Sequence, residues 1–199
     1  MAKSHFQILD LVYTGVAAAL IAVCAWITVP VGAVPVTLQT MAVCLAAGLL
    51  GAKRGTAAVL VYILLGAVGV PVFAGFKGGI GVLLGATGGY IIGFIFTALL
   101  TGFVADKTHR RLLPTAAAMA GGVLLCYAFG SLWFALVFIK NGDPKSIGAI
   151  LSMCVLPFLL PDAAKIALAA FLTNRLKNVI VRAGISNKTK ENTANENEA

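Results

Sequence analysis

The chain has 199 residues, of which 60% are hydrophobic and 11% charged, whereas a soluble domain carries about 25% charged residues. This composition excludes an ordinary soluble domain and indicates an integral membrane protein built as one bundle of helices. The net charge of +8 does not indicate nucleic-acid binding, because the basic residues lie mainly at the ends of apolar segments, where they orient a membrane protein.

The first predicted membrane helix, Ile8–Val29, carries small side chains on one face. Small residues allow helices to approach closely in a membrane. This face therefore suits contact with the protein's own helices or the docking of another subunit. Its residues are Thr14, Ala18, Ala22 and Ala25.

A tight basic turn, Gly51–Arg54, joins the next two predicted helices. The second helix, Thr37–Leu50, follows an uncharged connector with two prolines and is short for a full membrane crossing. Thr37 and Gln39 lie at its start, where such side chains cap a helix or contact a ligand. The third helix is predicted over residues 55–70.

The segment Pro71–Gly85 contains five glycines and one lysine. It is too apolar for a flexible linker and too rich in glycine for an ordinary helix. Irregular backbone at membrane depth is tolerated only where it is buried in protein or lines a cavity. We therefore predict a structured loop that lies over the bundle as a candidate lid.

The fourth and fifth helices are predicted over Ala86–Val104 and Leu112–Ile139. Gly89 and Gly93 form a close-packing pattern in the fourth helix. Tyr90 lies near its start, which favours an interfacial anchor over a ligand contact.

The last predicted helix, Ser152–Arg175, contains an acid and a base, Asp162 and Lys165. They are three residues apart and share a helix face. Each charge costs about 2.5–3.5 kcal/mol at the membrane centre, so such residues face a bundle interior or a wet cavity. The pair either joins two helices or binds a small molecule. Pro161 is predicted in the first helical turn, where proline is tolerated.

Six helices put both termini on the same side of the membrane. Eleven lysines and arginines fall on that side and three on the other, which predicts cytoplasmic termini. The first set is Lys3, Lys53, Arg54, Lys107, Arg110, Arg111, Arg175, Lys177, Arg182, Lys188 and Lys190; the second is Lys77, Lys140 and Lys145. The proline-rich connector, the glycine-rich loop and the start of the last helix then converge near the outer face. The polar tail from residue 183 is predicted to be a disordered cytoplasmic segment.

No nucleotide fingerprint, catalytic triad or metal-ligand spacing is present in the sequence. The four cysteines lie in apolar segments without metal-site spacing and are interpreted as packing residues. These features indicate neither an enzyme nor a bound cofactor. A chain this small is typical of a binding subunit within a larger assembly.

Four motifs resemble those of the BioY family, the biotin-specific substrate-binding (S) components of energy-coupling factor transporters. They are VPVTLQT (Val34–Thr40), LLGAVGVPVFAGFKGG (Leu64–Gly79), GATGGYIIGF (Gly85–Phe94) and PDAAKIALA (Pro161–Ala169). They occur in the family's order, and the resemblance as a whole covers about residues 8–176. One departure is Ala86, where the family usually has proline.

The resemblance implies a bundle of six membrane helices that captures biotin from outside, with a coupling membrane subunit, EcfT, and ATP-binding cassette ATPases as partners. It also implies that Ala18 and Ala22 dock on the coupling subunit. The implied biotin-binding residues are Asp162, Lys165, Tyr90, Thr87, Gln39, Thr37, Phe73, Lys77, Gly78 and Gly79. A facilitator that acts alone and an S component for another vitamin remain alternatives, and an intramembrane enzyme is disfavoured because no second acid–base set is present.

Overall fold

The computed structural model of the chain describes residues 2–30 and 34–182. The described elements are α1 (Ala2–Trp26), β1 (Thr28–Val29), β2 (Val36–Thr37), α2 (Gln39–Ala67), α3 (Ile80–Leu84), α4 (Gly88–Lys107), α5 (Leu112–Lys140), α6 (Ile147–Cys154) and α7 (Leu156–Arg182). The tail that was predicted to be disordered lies outside the described residues.

A small hairpin joins α1 to α2, and the predicted all-α fold, one bundle of membrane helices, did not include it. Thr28 pairs with Thr37 and Val29 with Val36 in an antiparallel register. Next to this pair of strands, the backbone N–H of Leu38 donates to two carbonyl oxygens. They belong to Cys24, in the last turn of α1, and to Ile27, the residue after α1. The connector thus fixes the start of α2 against the end of α1.

The chain reverses direction within α2, at Gly51. This residue has φ of 81°, a left-handed conformation that glycine adopts without steric cost. The Gln39 side chain donates to the Tyr62 hydroxyl, although the two would lie about 34 Å apart along a straight helix. The two halves of α2 are therefore antiparallel, and the turn predicted over four residues is confined mainly to Gly51.

The last turn of α4 and the loop after it form charged hydrogen bonds with both sides of this reversal. The Asp106 carboxylate accepts from the backbone N–H of Ala52, and the Arg110 guanidinium donates to the carbonyl oxygens of Gly48 and Leu49. Asp106 thus caps the start of the second half of α2, and Arg110 caps the end of the first half. The helix dipole favours an acid at a helix start and a base at a helix end.

Helices α1, α4 and α7 pack against α2, whereas α5 packs mainly against α4 and α7. Helix α4 contacts α2 and α5, and α7 contacts α2 and α5. Gly89 and Gly93 lie against Trp133 and Cys126 of α5, which confirms the predicted close-packing pattern in α4.

The last helix begins at Leu156, and the predicted start at Ser152 is wrong. The chain breaks at Val155, between α6 and α7, where φ is −125°. Pro157 lies in the first turn of α7, whereas Pro161 lies inside the helix. The first-turn position predicted for Pro161 is therefore occupied by Pro157. A proline costs little there, because the first turn of a helix does not use its N–H groups.

The small-residue face of α1 is buried against the protein itself. Ala18 and Ala22 are 3% and 7% exposed and belong to the hydrophobic core, where α1 packs on α2. The prediction that they form a free docking surface is therefore wrong for this conformation, because the same lack of side-chain bulk lets α2 occupy the face.

Five stretches of the described chain are long and apolar enough to cross a membrane. They are Ile8–Trp26, Gln39–Ala67, Gly88–Lys107, Leu112–Lys140 and Ile147–Val179. The second of these stretches contains the reversal at Gly51 and therefore consists of two antiparallel helix halves. The number of stretches thus differs from the number of times that the chain runs along the bundle.

Candidate ligand-binding site

A cavity of about 160 Å³ lies among α2, α4, α5, α7 and the segment Pro71–Gly85. It is more than ten times larger than the roughly 10–15 Å³ that a single water requires. Its apolar wall includes Phe73, Ile91, Phe94, Val123 and Phe158. Such a mostly apolar cavity with a few polar groups is the usual form of a small-molecule site.

The polar centre of this cavity is an acid–base pair on α7. The Lys165 ammonium lies 2.8 Å from one carboxylate oxygen of Asp162, and the Tyr127 hydroxyl donates to the other oxygen at 2.5 Å. Asp162 is 3% exposed and Lys165 8%. The three-residue spacing therefore places both charges on one face, as predicted, and that face lines the cavity.

Both members of the pair keep hydrogen-bonding capacity beyond these contacts. A carboxylate has about four acceptor sites and a lysine ammonium three donors, of which the bonds described occupy two and one. Their charges cancel, so the pair offers acceptors and donors side by side without a net charge. This arrangement suits a ligand group that carries N–H donors beside a carbonyl acceptor.

The start of α2 contributes a second polar wall. Gln39 donates to Tyr62 through its amide nitrogen, while Thr37 contacts the amide oxygen at 3.2 Å. The Thr37 hydroxyl also accepts from the Gln39 backbone N–H. Gln39 and Thr37 line the cavity, so residues that fasten the helix start also face the ligand space.

The start of α4 supplies Thr87 and Tyr90, which both line the cavity. Tyr90 is buried rather than interfacial, and its hydroxyl lies 3.1 Å from the Ser131 hydroxyl of α5. The preference for an interfacial anchor at Tyr90 is therefore wrong, because the close approach of α4 to α5 draws the ring inside the bundle.

The segment Pro71–Gly85 brings Phe73 and Lys77 to the cavity. The backbone N–H of Phe73 donates to the carbonyl oxygen of Lys77 at 2.9 Å, which closes a short turn. Gly78 and Gly79 do not line the cavity. A side chain at Gly78 would collide with the carbonyl of Val70, and Gly79 has φ of 95°, so these glycines shape the turn.

Sequence reasoning did not find Tyr127, although it bonds directly to Asp162. The available signal was a tyrosine far from either end of an apolar helix, because a buried tyrosine hydroxyl usually needs a partner. The other cavity residues outside the predicted set are Val34, Pro35, Thr40, Ala74, Val82, Ile91, Phe94, Thr97, Val123, Cys126, Cys154 and Phe158. Most are apolar and indistinguishable in sequence from core or lipid-facing residues.

The described residues contain no group of three histidine, cysteine or acidic side chains that could hold a metal ion. The four cysteines are free thiols, and Cys126 and Cys154 line the cavity. The chemistry available at the described site is therefore hydrogen bonding, charge and apolar contact.

Comparison with known proteins identifies similar chains of nearly the same length. The profile of the BioY family matches residues 1–182. The chain is 44% identical to the biotin transporter BioY of Thermotoga maritima, over 86% of this chain and 98% of that protein. It is 42% identical to the probable biotin transporter BioY of Pyrococcus horikoshii, over 80% and 90%.

A solved structure has the same fold. The crystal structure of the S-component for biotin from an ECF-type ABC transporter aligns with a TM-score of 0.75 and 28% identity, over 87% of this chain and 93% of that one. The comparison agrees with the resemblance carried by the four sequence motifs.

Proposed function

The chain belongs to the BioY family, and we propose that it is the biotin-binding S component of an energy-coupling factor transporter. It is a multi-pass membrane protein that acts in transport and not as an enzyme. Support comes from similarity to biotin transporters along most of the chain and from similarity to a solved biotin S component.

The observation that carries this proposal is the buried acid–base pair in the cavity. Biotin has a ureido ring with two N–H groups and a carbonyl. Asp162 has acceptor sites for a ureido N–H, and Lys165 has donors for a carbonyl oxygen. The aromatic and aliphatic wall suits the apolar part of the ligand, including its bicycle and aliphatic tail.

The remaining predicted residues have different roles in this proposal. Gln39, Thr37, Thr87 and Tyr90 supply hydrogen-bonding groups along the cavity wall. Phe73 supplies apolar contact, and Lys77 supplies a positive charge that suits the biotin carboxylate. Gly78 and Gly79 shape the turn that brings Phe73 and Lys77 to the cavity.

Equilibrium titration of the purified protein with biotin tests the proposal. We expect saturable binding of biotin with one site per chain, and no binding of thiamine or riboflavin at the same concentrations. A folded, monodisperse preparation that does not bind biotin, or that binds the other vitamins equally well, would contradict the assignment.

The proposed partners are the coupling membrane subunit EcfT and the ATP-binding cassette ATPases. Biotin uptake should then depend on co-expression of these subunits and on ATP hydrolysis. Equal uptake into liposomes that contain this chain alone would identify a facilitator that needs no partner.

We also propose six membrane crossings with cytoplasmic termini. The antiparallel halves of α2 account for two crossings, with Val34–Leu38 extending the short first half. The excess of lysine and arginine near the Gly51 end supports the orientation. Single cysteines at positions 107 and 141 test it: an impermeant thiol reagent added to intact cells should label the Asn141→Cys variant and not Lys107→Cys. The opposite pattern would reverse the orientation, and equal labelling would exclude six crossings.

A further inference from the structure

Both tryptophans of the chain bind the ends of one segment that lines the cavity. The indole N–H of Trp26, the last residue of α1, donates to the carbonyl oxygen of Pro71 at 2.9 Å. The indole N–H of Trp133, in α5, donates to the carbonyl oxygen of Gly85 at 3.0 Å. The first and last residues of the glycine-rich segment are therefore fastened to two different helices.

The segment between these two bonds forms part of the cavity wall. Phe73, Ala74, Lys77 and Val82 face the ligand space. Phe73 also anchors the segment to the bundle, because its ring is 1% exposed and packs edge-on against Tyr62 of α2. Displacement of the segment would therefore remove part of the wall and change access to the cavity.

The tip of the segment is more exposed than its base. Phe76 is 63% exposed and has φ of 57°, a conformation that is uncommon for residues other than glycine. Its ring stacks on Trp26, with 5.1 Å between the ring centroids. Trp26 thus holds the segment twice, through the carbonyl of Pro71 and through the ring at the strained tip.

We propose that Trp26 and Trp133 are positioning residues that hold this segment closed over the cavity and thereby set the rates of ligand entry and exit. The inference rests on the proposed function for the identity of the ligand, biotin. Neither tryptophan lines the cavity, so the two bonds act on the opening of the segment and not on the contacts within the closed site. Because Trp26 ends α1 and Trp133 belongs to α5, a shift of either helix would loosen one end.

Replacing each tryptophan by phenylalanine removes one N–H donor and keeps an aromatic ring. In Trp26→Phe and Trp133→Phe, we expect the association and dissociation rate constants for biotin to rise together, each by about two- to tenfold, the equivalent of one neutral hydrogen bond. The equilibrium affinity should change by less than twofold. The double variant should show about the product of the single effects, because the bonds join separate helices.

A merely structural role would give a different result. Partial misfolding would lower the number of binding sites and leave the association rate constant of the remaining sites unchanged. Phe76→Ala provides a separate test of the stack, and it should also raise both rate constants. Phe103→Leu is the matched control, because this exposed ring lies near the other end of the bundle and contacts Lys107.

The cavity thiols provide a readout that does not depend on biotin. A Cys24→Ala/Cys44→Ala background retains Cys126 and Cys154, which both line the cavity. A small water-soluble methanethiosulfonate should modify them several-fold faster when either tryptophan is replaced, and no faster in the Phe103 control.

The two readouts separate failure of this inference from failure of the proposed function. Unchanged thiol modification rates together with unchanged biotin rate constants in the tryptophan variants would overturn the inference. If the wild-type protein does not bind biotin but the variants are modified faster, the positioning role stands and the ligand assignment fails. If biotin binds and only the affinity falls, with no rise in the association rate constant, the positioning role is excluded.

Discussion

The two ends of the bundle each contain an acid and a base about one helical turn apart, but the surroundings of the two pairs differ. Asp106 and Arg110 lie 3.5 Å apart at the Gly51 end, and both also bond to backbone groups of α2. Asp162 and Lys165 lie 2.8 Å apart in the cavity, where Tyr127 is the other side chain that donates to the carboxylate.

The difference shows how the same residue types serve two purposes. At the Gly51 end, the charges satisfy backbone groups that a helix end leaves without partners, so their hydrogen-bonding capacity is used within the protein. In the cavity, acceptors and donors remain beside a space large enough for a ligand. We therefore expect substitutions at the first pair to change stability and substitutions at the second to change binding.

The largest expected effect is the loss of stability in Arg110→Met. This change removes charged hydrogen bonds to the carbonyls of Gly48 and Leu49, which together contribute about 3 kcal/mol, so the melting temperature should fall by roughly 10 °C. Thermal unfolding of the purified protein measures the change. Arg111→Met is the matched control, because the neighbouring Arg111 side chain is exposed.

Biotin affinity of the folded fraction provides the second half of this comparison. It should remain within about twofold of wild type in Arg110→Met, because Arg110 does not line the cavity. A loss of affinity without a loss of stability would contradict the division between a structural pair and a binding pair.

The next largest effect is expected from single substitutions in the cavity pair. Asp162→Asn and Lys165→Met should each weaken biotin binding about tenfold or more, since each removes a charged hydrogen bond. Each also leaves the other buried charge without its partner, which costs stability. Titration of folded protein, with melting temperatures measured in parallel, separates the two effects. Affinities within twofold of wild type in both variants would leave the pair as a structural link.

The smallest effect is expected for Tyr127→Phe. The ring still fills its place, but Asp162 loses a donor that holds its carboxylate in one orientation. Biotin affinity should fall about three- to tenfold with little change in melting temperature. Tyr13→Phe is the control, because this tyrosine of α1 does not line the cavity. An unchanged affinity would show that Lys165 alone positions the carboxylate.

The sequence predicted the strongly patterned features of this molecule. The long apolar segments, the turn at Gly51 and the shared face of Asp162 and Lys165 all depend on local composition and spacing. Eight of the ten predicted binding residues line the cavity, with Gly78 and Gly79 the exceptions. All ten belong to the motifs that carry the family resemblance.

The features that the sequence did not predict depend on contacts between distant parts of the chain. Tyr127 lies in an apolar helix, and its hydroxyl acquires a role only because α5 packs beside α7. Ala18 and Ala22 could pack inward or outward, and helix period alone does not decide which helix covers them. The bonds from Trp26 and Trp133 link residues 45 and 48 positions apart, which no local pattern encodes.

The central claim is that the free hydrogen-bonding capacity of Asp162 and Lys165 binds biotin. The most direct test is titration of the double variant Asp162→Asn/Lys165→Met with biotin, beside the wild type. Removing both charges leaves no unpaired ion, so the melting temperature should stay near that of wild type. Biotin affinity should fall by about a hundredfold or more. An intact fold with wild-type affinity in the double variant would contradict the claim.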